Sequence, residues 1–165
     1  MNLMKKKIKK PNDSPADART YALKLLSYRG RSKKELTEKL KLRGFPIDHI
    51  MSTLAFLEHA GLIKDESLAA DLFRHAIDYK SLGRQGIKVF LLKRGIDRQL
   101  VDSTLDAHSK EIEEQSARKF AERKMKVLRN YPDAVAKRRL SGMLQRRGFS
   151  GSTIMRTLDS LSDLK

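Results

Sequence analysis

The chain has 165 residues, a formal charge of +16 and no cysteine or tryptophan. Without cysteine there is no disulfide framework and no thiolate metal site. No apolar run reaches the roughly 18 residues of a membrane-spanning helix, and the charged N-terminus lacks the apolar core of a secretory signal. A cytoplasmic protein is expected, with no membrane contact. The charge is unevenly spread, at +4 on residues 1–16, +4 on 17–63, −1 on 64–115 and +9 on 116–165. Charge placed only for solubility would not spare one segment. The pattern favours a polyanionic partner, either nucleic acid or a nucleoprotein surface.

Residues 1–16 read as a basic disordered tail, with a phosphate-binding arm as the alternative. The first helix is predicted over Asp17–Tyr28, with Ala18, Ala22, Leu25 and Leu26 on one face. Ser32 and Glu35 then have the spacing of a capping box, in which the Ser oxygen takes an orphan N–H and the Glu reaches back. The second helix follows with Leu36, Leu40 and Leu42, and ends at Gly44, a residue suited to the left-handed C′ position. Pro46 or Ile47 opens a third helix carrying Ile50, Leu54 and Leu57, which stops at Gly61. The same plan recurs with helices over Asp65–Tyr79 and Arg84–Arg94 and a third capped by Asp97. It recurs again over Ser116–Leu128 and Ala134–Arg147, with Ser150 as the last cap.

The recurrence is exact in register. Residues 35–54, 86–105 and 139–158 read ELTEKLKLRGFPIDHIMSTL, GIKVFLLKRGIDRQLVDSTL and RLSGMLQRRGFSGSTIMRTL, and they align without a gap. The shared columns include Leu36/Ile87/Leu140, Leu40/Leu91/Leu144, Arg43/Arg94/Arg147, Gly44/Gly95/Gly148 and Ile50/Val101/Ile154. Apolar steps of four fit one helix face, and the steps of five straddle the glycine where the chain reverses. The expected fold is all-α: nine helices in three tandem three-helix, helix-turn-helix-like repeats over 17–63, 64–115 and 116–165, forming an elongated, curved array. Such arrays present a long surface to a long partner.

Candidate binding residues follow from charge and register. Arg43, Arg94 and Arg147 fall in the last turn of each second helix, where a cation meets the negative end of the helix dipole. Together with Lys41, Lys93 and Arg146 they would also present a periodic cationic column to a periodic anion. Lys137, Arg138, Arg139, Arg146 and Arg147 form the densest cluster. Like charges at helical spacing repel, so a neutralising partner is expected there. Gly142, within that helix, would admit another backbone closely. Tyr28, Tyr79 and Tyr131 could stack on bases, but at helix ends they are expected to pack between helices. The four histidines, His49, His59, His75 and His108, lack metal-ligand spacing, and His108 is expected on a helix face at a core margin. Gly83-Arg84-Gln85-Gly86 reads as a turn, too short to cradle a phosphate. No nucleophile, phosphate-loop or metalloprotease motif occurs, so no catalytic residue, cofactor or metal is expected and the protein does not read as an enzyme.

Three segments carry a family resemblance: R-x-R-S-x-x-E-L at Arg29–Leu36, K-L-x-x-x-G-F at Lys39–Phe45, and G-L-I-x-D-E at Gly61–Glu66. L-x-R-R-G-F at Leu144–Phe149 extends it. Over residues 17–160 the chain resembles the bacterial RecX proteins. It departs from them at Gly30, where Pro is common, at Pro46, where a cap Ser is usual, and at Lys64, where Asp is usual. The resemblance implies three tandem three-helix repeats lying along the groove of the RecA filament on single-stranded DNA. It also implies inhibition of that filament's ATPase, recombinase and coprotease activities, and so modulation of DNA repair, recombination and the SOS response, by a monomer. The alternative is a tandem helix-turn-helix DNA-binding protein without a RecA partner.

Overall fold

Nine helices and no strand occur among residues 14–107 and 110–161, the residues described by this computed structural model. They are α1 (Pro15–Tyr28), α2 (Lys33–Leu42), α3 (Ile47–His59), α4 (Asp65–Asp78), α5 (Arg84–Lys93), α6 (Arg98–Asp106), α7 (Lys110–Leu128), α8 (Asp133–Arg146) and α9 (Gly151–Ser160). The basic tail up to residue 13 and His108 lie outside the described residues. The all-α repeat plan therefore holds.

Two helices begin earlier than their apolar patterns suggest. Ser14 accepts the Asp17 N–H and Pro15 occupies the first turn, so α1 starts two residues before Asp17. Proline suits that position because its missing N–H would have had no intrahelical partner. α7 starts at Lys110, six residues before Ser116, and its first turn carries Glu111 and Glu113. Acidic side chains there complement the positive end of the helix dipole.

The chain divides into two units, the first closing at Asp65 and the second running from Glu66. In the first, α1, α2 and α3 bury Ala18, Ala22, Leu36, Leu40, Ile50, Leu54 and Leu57, with Phe45 and Ile63 at the margins. The capping box of α2 is complete. Ser32 Oγ accepts from Glu35 N–H, and the Glu35 carboxylate accepts from Ser32 N–H. Asp65 accepts a further α2 donor, the Lys33 N–H. Leu42, on the opposite side of α2 from Leu40, is 82% exposed and contributes nothing to this core.

The second unit holds two clusters built on the same columns. One centres on Phe73, Ile87, Leu91, Val101 and Leu105, the other on Phe120, Leu140, Leu144, Phe149 and Ile154. Gly44, Gly95 and Gly148 all have positive φ, at 87°, 73° and 77°. This is the left-handed C′ conformation that the column required.

The two clusters are joined by backbone. Gly83 caps α5 without a side chain, and its N–H donates to the Arg147 carbonyl at 2.9 Å. The Gln85 N–H donates to the Gly148 carbonyl at 3.1 Å. Two donors at the start of α5, the Gly83 and Gln85 N–H groups, are thus satisfied by the α8–α9 turn. This contact is possible only without side chains. A Cβ on Gly83 would strike the Phe149 backbone, and one on Gly86 would overlap the Arg147 carbonyl. Glu113 completes the joint: its Oε1 accepts the Arg84 N–H and the Ser150 N–H, each at 3.2 Å. One carboxylate therefore serves the N-termini of both α5 and α9.

Candidate nucleic-acid interface

α8 positions the densest cationic cluster. Ala136, Leu140 and Leu144, four residues apart, face the core. That spacing turns Arg138, Gly142 and Arg146 to the opposite side of the helix. Lys137, Arg138, Arg139 and Arg146 are all exposed. Among the described residues, neither Arg138 nor Arg146 meets a carboxylate at ion-pair distance. Arg139 lies with its guanidinium 4.0 Å from the centroid of the Tyr131 ring. Such a contact holds the charge in place without neutralising it.

Among the described residues, no other backbone comes against Gly142. A Cβ there would meet only Arg146 Nη1, at 3.3 Å. It leaves a notch between the exposed Arg138 and Arg146.

Arg147 departs from the cluster. Its guanidinium sits 4.5 Å from the Phe120 ring centroid and donates to the Lys80 carbonyl. Burial, and then the nearby Arg123 charge, hold it below the ordinary arginine range. Its position at the end of α8, directed back into the α5/α8–α9 joint, makes it part of the scaffold. Arg43 and Arg94 cap α2 and α5 in the same column. Arg43 stands 5.6 Å from the Tyr21 ring centroid, in the first unit. The column is thus a shared helix-capping feature, and only the α8 residues 137, 138, 139 and 146 are brought together on one helix.

The tyrosines correct an expectation. Tyr28 and Tyr79 are 73% and 80% exposed, so neither is packed between helices, while Tyr131, 41% exposed, lies against Arg139 of α8. Each lies at or just past the end of the first helix of its repeat, where the ring has left the buried stripe. Tyr79 stacks on His75, with centroids 5.2 Å apart.

Some cations escaped sequence reasoning. Lys119 and Arg123 lie one turn apart on α7, and Arg123 donates to Ser81 Oγ. The step of four between them was the available signal.

Residues 18–57 match the family model described as RecX, first three-helix domain, and residues 111–158 match RecX, third three-helix domain. The regulatory protein RecX of Thermobifida fusca is 34% identical over 149 residues, covering 88% of this chain and 79% of that protein. The regulatory protein RecX of Streptomyces coelicolor is 30% identical over 148 residues, covering 90% and 79%. The crystal structure of RecX from Lactobacillus salivarius shares the fold, with a TM-score of 0.78 at 24% identity, over 92% of this chain and 97% of that one. A second crystal structure, of regulatory protein RecX, gives a TM-score of 0.76 at 28% identity, over 88% and 73%.

Proposed function

The chain belongs to the RecX family of regulatory proteins, and from that premise we propose that it binds the RecA filament on single-stranded DNA and inhibits its activities. The observation that carries this reading is the exposed face of α8, where Arg138 and Arg146 have no carboxylate partner among the described residues. A helix bearing uncompensated cations gains stability when a polyanion neutralises them. Phosphate contacts of this kind release counterions, so the interaction weakens as salt rises. The α4–α6 repeat, close to neutral, contacts protein surface rather than DNA. Binding is by a monomer in the cytoplasm, without cofactor or catalytic step. Among the described residues no helix is long and apolar enough to cross a membrane.

The test is the combined reversal Arg138→Glu, Arg139→Glu and Arg146→Glu. Arg147 is left in place because it holds the Lys80 carbonyl. The variant should keep its far-UV helicity and lose inhibition of RecA strand exchange. Full inhibition by the folded variant would overturn the assignment of this face. Salt-sensitive DNA binding by the wild type with no effect on RecA would favour the plain DNA-binding alternative.

A further inference from the structure

Between the end of α4 and the side of α7, inside the second unit, lies a cleft of about 280 Å³. Besides two isoleucines it is lined by Asp78, Ser81, Gln115, Ser116, Lys119 and Arg123. None of these residues belongs to the α8 face, and neither the repeat plan nor the α5/α8–α9 joint requires them to be polar.

Donors outnumber acceptors there. Ser81 is 4% exposed and is the non-glycine residue with positive φ, at 48°, among the described residues. A serine held in that conformation is strained, and its hydroxyl is fixed where the turn places it. Ser81 Oγ accepts from Arg123 Nη2, which leaves its own proton without an acceptor among the described residues. Ser116 is 6% exposed, and its hydroxyl has no hydrogen-bond partner among the described residues. Buried hydroxyls in native proteins are normally paired, so an orphan at a cleft marks a place where a partner is missing. Lys119 meets no carboxylate among the described residues. Arg147 brings a further charge close to Arg123, and the two guanidiniums repel. Against these stand the Asp78 carboxylate and the Gln115 amide oxygen.

We propose that this cleft binds a phosphoryl group, with its oxygens accepting from Lys119, Arg123 and the Ser81 hydroxyl and with Ser116 beside them. A phosphoryl group offers several acceptor oxygens in one compact anion, which suits donors converging from two elements. A single carboxylate would leave some of these donors unused. The same chemistry has two sources: a free phosphate or polyphosphate, and the backbone of a nucleic-acid strand. Asp78 disfavours any anion in the cleft and sets the affinity below what the cations alone would give. The inference stands apart from the filament reading, since it uses none of the α8 arginines.

The experiment is a titration of the full-length protein with inorganic pyrophosphate, followed by amide NMR shifts and calorimetry. Saturable binding is expected, with shifts concentrated at residues 78–82 and 115–123. Lys119→Gln should weaken it about tenfold, the loss of one charge-assisted contact. Asp78→Asn should tighten it, which guards against reading a folding defect as lost binding. The Arg138/Arg139/Arg146 reversal should leave it unchanged, so this site and the filament face can fail separately. Addition of oligo(dT) distinguishes the sources. Displacement of pyrophosphate from these residues identifies a strand backbone, and co-binding with shifts elsewhere identifies a free phosphate ligand. Shifts that grow linearly without saturation, or an affinity indifferent to both Lys119→Gln and Asp78→Asn, would overturn the proposal.

Discussion

The α4–α6 and α7–α9 bundles share one set of core columns and one backbone joint, yet they treat charge in opposite ways. In α4–α6, Arg84 pairs with Asp106, Lys88 with Asp102, and Arg74 with Asp71. In α7–α9, Arg156 pairs with Glu114, while Arg138, Arg146 and Lys119 meet no carboxylate among the described residues. The columns that fill the two cores are interchangeable: Leu91 and Leu144 are both fully buried at equivalent positions. The fold is therefore set by a small number of apolar and glycine positions, and the outer faces are free to differ. Exposed ion pairs contribute little to stability, so leaving Arg138 and Arg146 without a carboxylate among the described residues does not threaten the fold of that bundle.

The largest effect is expected at the joint between the two bundles. Gly86→Ala would drive a Cβ into the Arg147 carbonyl. It should cost about 3 kcal/mol, the upper end of ordinary overpacking, because backbone must move on both sides. Gly151→Ala is the control, since a Cβ there meets nothing within 4 Å. It should be neutral or slightly stabilising, by about 0.5 kcal/mol. Urea unfolding of both variants checks this. Equal midpoints would mean that the joint does not hold the bundles.

The equivalence of the cores can be sharpened by Leu91→Ala and Leu144→Ala. Each removes a fully buried side chain and should cost about 2–5 kcal/mol, depending on how far the site collapses. Costs within about 1 kcal/mol of each other, by the same unfolding measurement, would fit interchangeable columns. A loss at only one of them would show that the bundles are not equivalent.

Glu113→Ala removes the acceptor shared by the Arg84 and Ser150 N–H groups. The expected loss is about 2 kcal/mol, the scale of removing caps from two helix starts. Hydrogen exchange should quicken at both N-termini together; faster exchange at only one would contradict the shared cap.

The smallest effect concerns the ion pairs themselves. The hydrogen bond from Lys88 holds the Asp102 carboxyl below its ordinary value of 3.8, aided by the charges of Lys88, Arg98 and Arg84 and opposed by desolvation. A carboxyl depressed in the folded state stabilises it above pH 3.8, and this contribution is lost as the pH falls through the lower folded value. Asp102→Asn should therefore unfold less steeply with acid below pH 3.8 than the wild type does. Identical acid limbs in a melting series would show that the pair contributes nothing.

What could be read from the sequence was whatever is local or periodic. Ser32 with Glu35, and the caps Asp97 and Ser150, announce helix starts within three residues. The glycine column announces helix ends, and the leucine columns announce the cores. Contacts between distant segments were not legible. Gly83 and Gly86 look like an ordinary turn until Gly148, more than 60 residues later, is placed against them. Arg147 looked like one more member of a cationic cluster because its sequence neighbours are basic. Its partners, Phe120 and the Lys80 carbonyl, come from elsewhere in the chain. The tyrosines misled for a related reason, since position at a helix end says little about which way a ring turns.

The proposed regulation of the RecA filament is tested by the single-stranded-DNA-dependent ATPase of RecA, titrated with this protein below one copy per RecA. The rate should fall at such ratios with DNA in excess, and should not fall with the Arg138/Arg139/Arg146 reversal. A rate that is unchanged, or that falls only when the protein is abundant enough to coat the DNA, would contradict it.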